Sequence, residues 1–187
     1  LRPHQKPLAE HPIPTGAEKL ALFDLATERF RGAGYVPLGM DHFALPEDSL
    51  AGALEAGRLD RSFMGYRVGG HEGLIALGPS AISDLGSLYA QSEPQLTRWR
   101  TAVQKGHLPI IRGHHLDAND RTRRAIITRL MCELRVHVPS LPAELLPSLE
   151  RVRWLHDAGL VERDDEWLRV TELGRPFVRN VAMAFDA

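Results

Sequence analysis

Asp41 and His42 are the residues of this sequence best suited to proton chemistry. A carboxylate beside an imidazole can orient polar groups of a substrate or hand on a proton; the plainer alternative is a capped turn holding a hydrogen-bonded histidine. The densest set of metal-ligand types is His107, His114, His115 and Asp117. Adjacent side chains on an extended segment point to opposite sides. No histidine pair stands at i, i+4 there, so exposed or hydrogen-bonded histidines are expected and no metal centre. Arg121, Arg123, Arg124, Arg129 and Arg135 line one stretch. A guanidinium grips a carboxylate as a planar fork, which suits a polyacidic substrate; a solvated face paired with nearby acids is the alternative. Cys132, next to Met131, has the setting of a small buried apolar residue rather than a nucleophile.

These side chains need elements to hold them. From Ala17, Leu20, Leu22, Phe23, Leu25, Ala26 and Phe30 recur near the 3.6-residue period and predict a helix stopped by Gly32 and Gly34. Residues 1–16, with four prolines, predict an irregular lead-in. Tyr35-Val36-Pro37-Leu38 is a short strand that delivers the chain to Asp41 and His42. Helix, glycine turn and strand make half of an α/β unit, where chemistry gathers at the C-terminal strand ends. A second helix is expected from Asp48 or Ser49 to Ala56, ended by Gly57. Strands follow at Phe63–Val68 and Leu74–Leu77, with a turn at Gly69-Gly70 between them. Ser92-Glu93-Pro94 opens a helix running to about Lys105. Asp117 or Asn119 caps a long helix to about Arg135, with Ile126, Ile127, Leu130, Met131 and Leu134 on its buried face. A helix over 144–157, a hairpin from Leu160-Val161 to Leu168-Arg169-Val170, and a last helix from Thr171 to Ala184 outline a winged helix.

Composition narrows the function classes. Of 187 residues, 43% are hydrophobic, and the formal net charge is -1. That supports one domain or two small ones with a real core and gives no overall field for nucleic acid. No apolar run of about 18 residues predicts a membrane span. A single cysteine excludes an internal disulfide framework, fits a cytoplasmic location, and cannot by itself hold an iron–sulfur cluster.

Three strings carry a resemblance. Gly39-Met40-Asp41-His42-Phe43-Ala44, Gly78-Pro79-Ser80-Ala81-Ile82-Ser83 and Tyr89-Ala90-Gln91 resemble those of oxygen-independent coproporphyrinogen III dehydrogenases, radical S-adenosylmethionine enzymes of heme synthesis. Gly113, Asp120, Arg123-Arg124, Cys132, Gly159-Leu160-Val161, Val170-Thr171, Gly174-Arg175 and Arg179-Asn180 follow in the family's order. The resemblance covers essentially the whole chain but only the family's C-terminal part. It implies oxidative decarboxylation of two propionates of coproporphyrinogen III, giving protoporphyrinogen IX. It also implies two S-adenosylmethionine molecules and a [4Fe-4S] cluster in the complete enzyme. The family's Cys-x-x-x-Cys-x-x-Cys cluster loop is not in this sequence, so this chain alone is expected to be inactive. The resemblance carries Asp41 and His42 over as active-site residues. It also marks Ile82 as contacting a second S-adenosylmethionine through its backbone and apolar side chain; without it, an isoleucine there would be read as core.

Two departures stand out. Ser62-Phe63-Met64-Gly65-Tyr66 replaces the family's Asn-Phe-Gln-Gly-Tyr, so Met64 lacks an amide donor and acceptor. Pro79 stands where valine is usual and lacks an N–H. A divergent radical paralogue or a heme-binding chaperone is therefore one alternative. A DNA-binding winged helix is another, opposed by Glu162, Asp164, Asp165 and Glu166 on the wing. The expected architecture is α+β: residues 1–107 as the remainder of a radical-enzyme partial (β/α) barrel, and 108–187 as a helical domain with a winged-helix-like hairpin. A cut barrel leaves apolar faces that favour self-association of the chain, whereas the complete enzyme is expected to be a monomer.

Overall fold

The computed structural model describes residues 6–7, 12–69 and 73–186. Most of the irregular lead-in, and Gly70 of the expected turn, lie outside the described residues. Helix α1 (Gly16–Gly32) starts at a capping box in which the Thr15 side chain accepts from the Glu18 amide and the Glu18 carboxylate accepts from the Thr15 amide. None of its residues is buried. Its apolar stripe finds partners mainly at its end, where Phe30 stacks on Phe43 with centroids 4.7 Å apart.

Strands β1 (Val36–Gly39) and β2 (His42–Ala44) pair antiparallel, with a bulge between Pro37 and Gly39. Helix, glycine turn and strand follow in the expected order, and Asp41 and His42 lie in and just after the hairpin turn that joins β1 to β2. Met40, at φ 43°, reverses the chain at once, whereas a parallel crossover needs a dozen or more residues. All the paired strands among the described residues run antiparallel, and they close no barrel.

Helix α2 (Ser49–Glu55) is capped by Asp48. Its Ala51 buries against Leu38 and Ala44. The expected strand at 63–68 is a hairpin of β3 (Leu59–Ser62) and β4 (Gly65–Val68) around Phe63-Met64. A sheet of β5 (Ile82–Asp84), β6 (Leu88–Ser92) and β7 (Ile110–His115) follows, with α3 (Leu96–Gln104) between β6 and β7. The strand expected at 74–77 is reduced to one bridge, Leu74 to Asp84, because the Ala76 amide donates to the Ser83 hydroxyl instead of continuing a ladder.

Helix α4 (Ala118–Glu133) has a second capping box, Asp117 with Asp120, and ends at Leu134 in the left-handed region. There the chain enters β8 (Arg135–His137). The helix expected over 144–157 begins only after Pro147, as α5 (Ser148–Arg151) and α6 (Arg153–Asp157). Strands β9 (Val161–Arg163) and β10 (Trp167–Val170) complete a sheet in the order β8-β10-β9. Pro176 lies in a 3₁₀ turn and lacks the N–H that a continuous final helix needs. Helix α7 (Val178–Met183) therefore starts later than expected.

The largest core lies in this last part: Leu130, Val136, Leu149, Leu155, Leu168 and Phe185 belong to one buried cluster. A smaller cluster of Met131, Val178 and Ala182 also packs against Met40, so it clamps the 39–44 turn onto α4 and α7.

Candidate functional site

The 39–44 turn is held from both sides. Met40, half-buried, packs against the α4–α7 cluster. Gly39 lies so close to the Tyr66 hydroxyl that any Cβ there would collide with it, and that hydroxyl donates to the Met131 carbonyl at 2.8 Å. The turn therefore fixes Asp41 and His42 against the β3–β4 hairpin. The Asp41 carboxylate is 2.9 Å from His42 Nδ1. An ionised carboxylate only accepts, so the Nδ1–H donates to it and Nε2 is left as the acceptor. The imidazole meets the Tyr66 ring edge-on at 5.0 Å, and both side chains stay accessible, 41% for His42 and 71% for Asp41. Burial pushes the Tyr66 hydroxyl above its usual range, partly offset by Arg61. Tyr66 therefore stays a neutral donor to the Met131 carbonyl at ordinary pH.

Ile82 sits on β5, opposite Gln91 of β6. Bonds from Ser92 to Ala81 and from Leu85 to Leu88 fix which residues face β6. Antiparallel ladders alternate, so the Ile82 amide and carbonyl turn to the outer edge of β5. Two residues on, Asp84 uses the same edge to bond Leu74 in both directions. Ala76 would be the next partner along that edge, opposite Ile82, but its amide goes to the Ser83 hydroxyl. The edge beside Ile82 is thus left open by the ladder.

Between the β3–β4 hairpin, the β5–β7 sheet, α4 and α7 runs a cleft of about 660 Å³. Four arginines line it, Arg61, Arg123, Arg124 and Arg179, against Asp84, Asp120 and Asp186. Arg124 forks onto Asp84, which is 3% exposed. His114 Nε2 is 2.9 Å from Asp120 Oδ2, and the Asp117 amide and that imidazole hold the Asp120 carboxyl below its usual range. The arginine stretch is therefore divided in use. Arg123 donates to the Phe185 carbonyl and Arg121 to the Leu116 carbonyl, while Arg129 and Arg135 make long surface pairs with Glu133.

Asp41 and His42 do not line this cleft; His42 touches Tyr66, whose ring lies 4.9 Å from the Arg61 guanidinium that does. Ile82 does not line it; its strand neighbour Asp84 does. Arg61, Tyr66 and Asp84 were not singled out from sequence. The Phe63-Met64 turn lacks the Asn-Gly or Asp-Gly signal that marks a hairpin, so nothing foretold that Arg61 and Tyr66 would face each other across it.

Cys132 is buried, and burial pushes its thiol up to about 12. Among the described residues no three or more His, Cys, Asp and Glu side chains converge on a metal-sized site. The residues present do not fit an iron–sulfur cluster, which is held by several thiolates. No helix among the described residues is long and apolar enough to cross a membrane.

Comparison with known proteins agrees with this architecture. Residues 116–177 match the HemN C-terminal domain. The oxygen-independent coproporphyrinogen III oxidase of Pseudomonas aeruginosa is 40% identical over 93% of this chain and 40% of its own length. The Synechocystis enzyme of the same name is 33% identical over 100% of the chain and 42% of its own. A solved structure, coproporphyrinogen III oxidase (HemN) from Escherichia coli, a radical SAM enzyme, superposes with a TM-score of 0.83 at 34% identity, over 93% of this chain and 42% of that one. The chain spans about two fifths of the length of the curated relatives it matches. Shared sequence across nearly all 187 residues, a shared fold and the matched domain make this chain similar, over about two fifths of their length, to the oxygen-independent coproporphyrinogen III oxidases, with residues 116–177 matching the HemN C-terminal domain.

Proposed function

We propose that the protein carrying this chain decarboxylates two propionates of coproporphyrinogen III oxidatively, giving protoporphyrinogen IX, in the cytoplasm. The observation that carries this reading is 40% identity to an oxidase of that name over 93% of the chain. In this reading residues 1–107 belong to the wall of a partial barrel and 108–187 to a winged-helix-like cover; β7 reaches back across that division to pair with β6. The open β5 edge at Ile82 fits S-adenosylmethionine, a ligand rich in hydrogen-bonding groups; two molecules are proposed per complete protein. With an electron from a reduced [4Fe-4S] cluster held by other residues of the complete protein, a bound S-adenosylmethionine would supply the 5′-deoxyadenosyl radical for hydrogen abstraction.

The chain's own residues bind and position. The Ile82 amide and carbonyl offer one donor and one acceptor at the open edge. Asp41 fixes the His42 tautomer, so that Nε2 accepts a pyrrole N–H or a proton at the substrate's rim. The arginine-lined cleft favours carboxylates. No nucleic-acid partner is proposed: Arg151, on the helix before the wing, donates to the Ala184 and Asp186 carbonyls, and the wing is acidic.

The test is anaerobic growth of a bacterium lacking its own coproporphyrinogen oxidases, supplied with the complete gene. Restored growth without added heme is expected. Absence of growth despite soluble protein, with a Soret band on adding heme, would replace this reading with a heme-binding chaperone.

A further inference from the structure

We propose that Arg61 anchors a carboxylate of the tetrapyrrole substrate, one propionate, in the cleft between the β3–β4 hairpin and α4; this rests on the function proposed above. Its Nη1 is buried and has no hydrogen-bond partner. Buried polar groups are almost always paired, and an unpaired one is costly. An Arg side chain left in that state next to a large cleft points to an absent acceptor. The cleft's other central arginine is already committed, Arg124 to Asp84. The acids near Arg61 are committed as well: Asp60 pairs with Arg67 at 2.8 Å, and Asp120 with His114. Arg61 is therefore a cation of the cleft whose buried Nη1 has bonding capacity to give.

The surroundings fit a flat, acid-bearing ligand. The Tyr66 ring supports the guanidinium at 4.9 Å, and its hydroxyl is tied to Met131, so the fork is held in place before a ligand arrives. Phe63 meets Tyr89 edge-on at 5.0 Å and is 55% exposed, which gives an aromatic wall for pyrrole rings. A neutral ligand would leave Nη1 without a strong acceptor; a carboxylate satisfies it with charge assistance.

The experiment measures binding by the protein as its gene encodes it, using coproporphyrin III, its tetra-amide, and S-adenosylmethionine as probes. Wild type should bind the tetra-acid at least tenfold tighter than the tetra-amide, and Arg61→Gln should bring the two within about twofold. Arg61→Lys keeps the charge and the stem over Tyr66 but not the fork, so an intermediate preference is expected; it also covers the case that Arg61→Gln does not fold. An unchanged preference in both variants overturns the assignment, even if coproporphyrinogen is still turned over. If S-adenosylmethionine affinity falls with Arg61 and tetra-acid affinity does not, the carboxylate belongs to the amino-acid moiety and the propionate assignment is overturned. If turnover and tetra-acid binding are both absent in wild type, the proposed function falls, and this inference with it.

Discussion

At the residue scale the account depends on how tightly the 39–44 turn is seated. Gly39 has no room for a Cβ beneath the Tyr66 hydroxyl and the Met131 carbonyl. Gly39→Ala is expected to cost about 1–3 kcal/mol, the usual range for overpacking, read as a lower urea midpoint. Adding Tyr66→Phe removes the colliding oxygen and should recover part of that loss; a Gly39→Ala midpoint equal to wild type would show that the turn is loosely held. For chemistry, His42→Gln in the complete protein should lower turnover about a hundredfold or more, the ordinary size of a lost proton-transfer group, with the circular dichroism unchanged. Asp41→Asn should have a smaller effect in the same direction. Turnover within twofold of wild type for both variants would remove the pair from the reaction.

At the element scale, the β9–β10 turn is organised by one carboxylate. Asp164 accepts from Arg169 and from the amides of Trp167 and Glu166, which together hold its carboxyl at about 2. A lowered folded-state pKa gives stabilisation that is present above the usual aspartate range near 4 and is lost as pH falls through about 2. The melting difference between wild type and Asp164→Asn should therefore be visible at pH 6 and close as pH falls towards 2; a carboxyl carbon titrating near 4 by NMR would contradict it. Elements with strong local signals were legible in the sequence: α2 and α4 start at expected caps, α1 starts one residue before the expected Ala17, and all three end within a few residues of the expected stops. The β9–β10 hairpin was legible too; the β1–β2 hairpin was not, because Met40 reverses the chain with a residue that rarely adopts positive φ. The 74–77 strand failed for a side-chain reason, the Ser83 hydroxyl, which no periodicity encodes. At the site, Asp41, His42 and Ile82 came from short strings. Arg61 and Tyr66 came only from a cross-strand pairing that sequence spacing did not reveal.

At the scale of the whole molecule, burial is uneven. The α4–α7 region holds the largest buried cluster, whereas β7 is exposed along its length and α1 and α3 bury no residue. Ile75, Leu77 and Leu108 are 75%, 90% and 85% exposed. Amides of α4 and β10 should thus exchange far more slowly than those of β7 and α1; uniform protection by hydrogen-exchange mass spectrometry would contradict this division. The 187-residue chain is also expected to bind apolar dyes and self-associate more than the complete protein does. The most direct test of the central claim compares the two, each reconstituted anaerobically with iron, sulfide and S-adenosylmethionine and given coproporphyrinogen III. Protoporphyrinogen IX, read by fluorescence after oxidation, should form with the complete protein and not with the 187-residue chain. Product from the short chain, or none from the complete protein, would contradict the account.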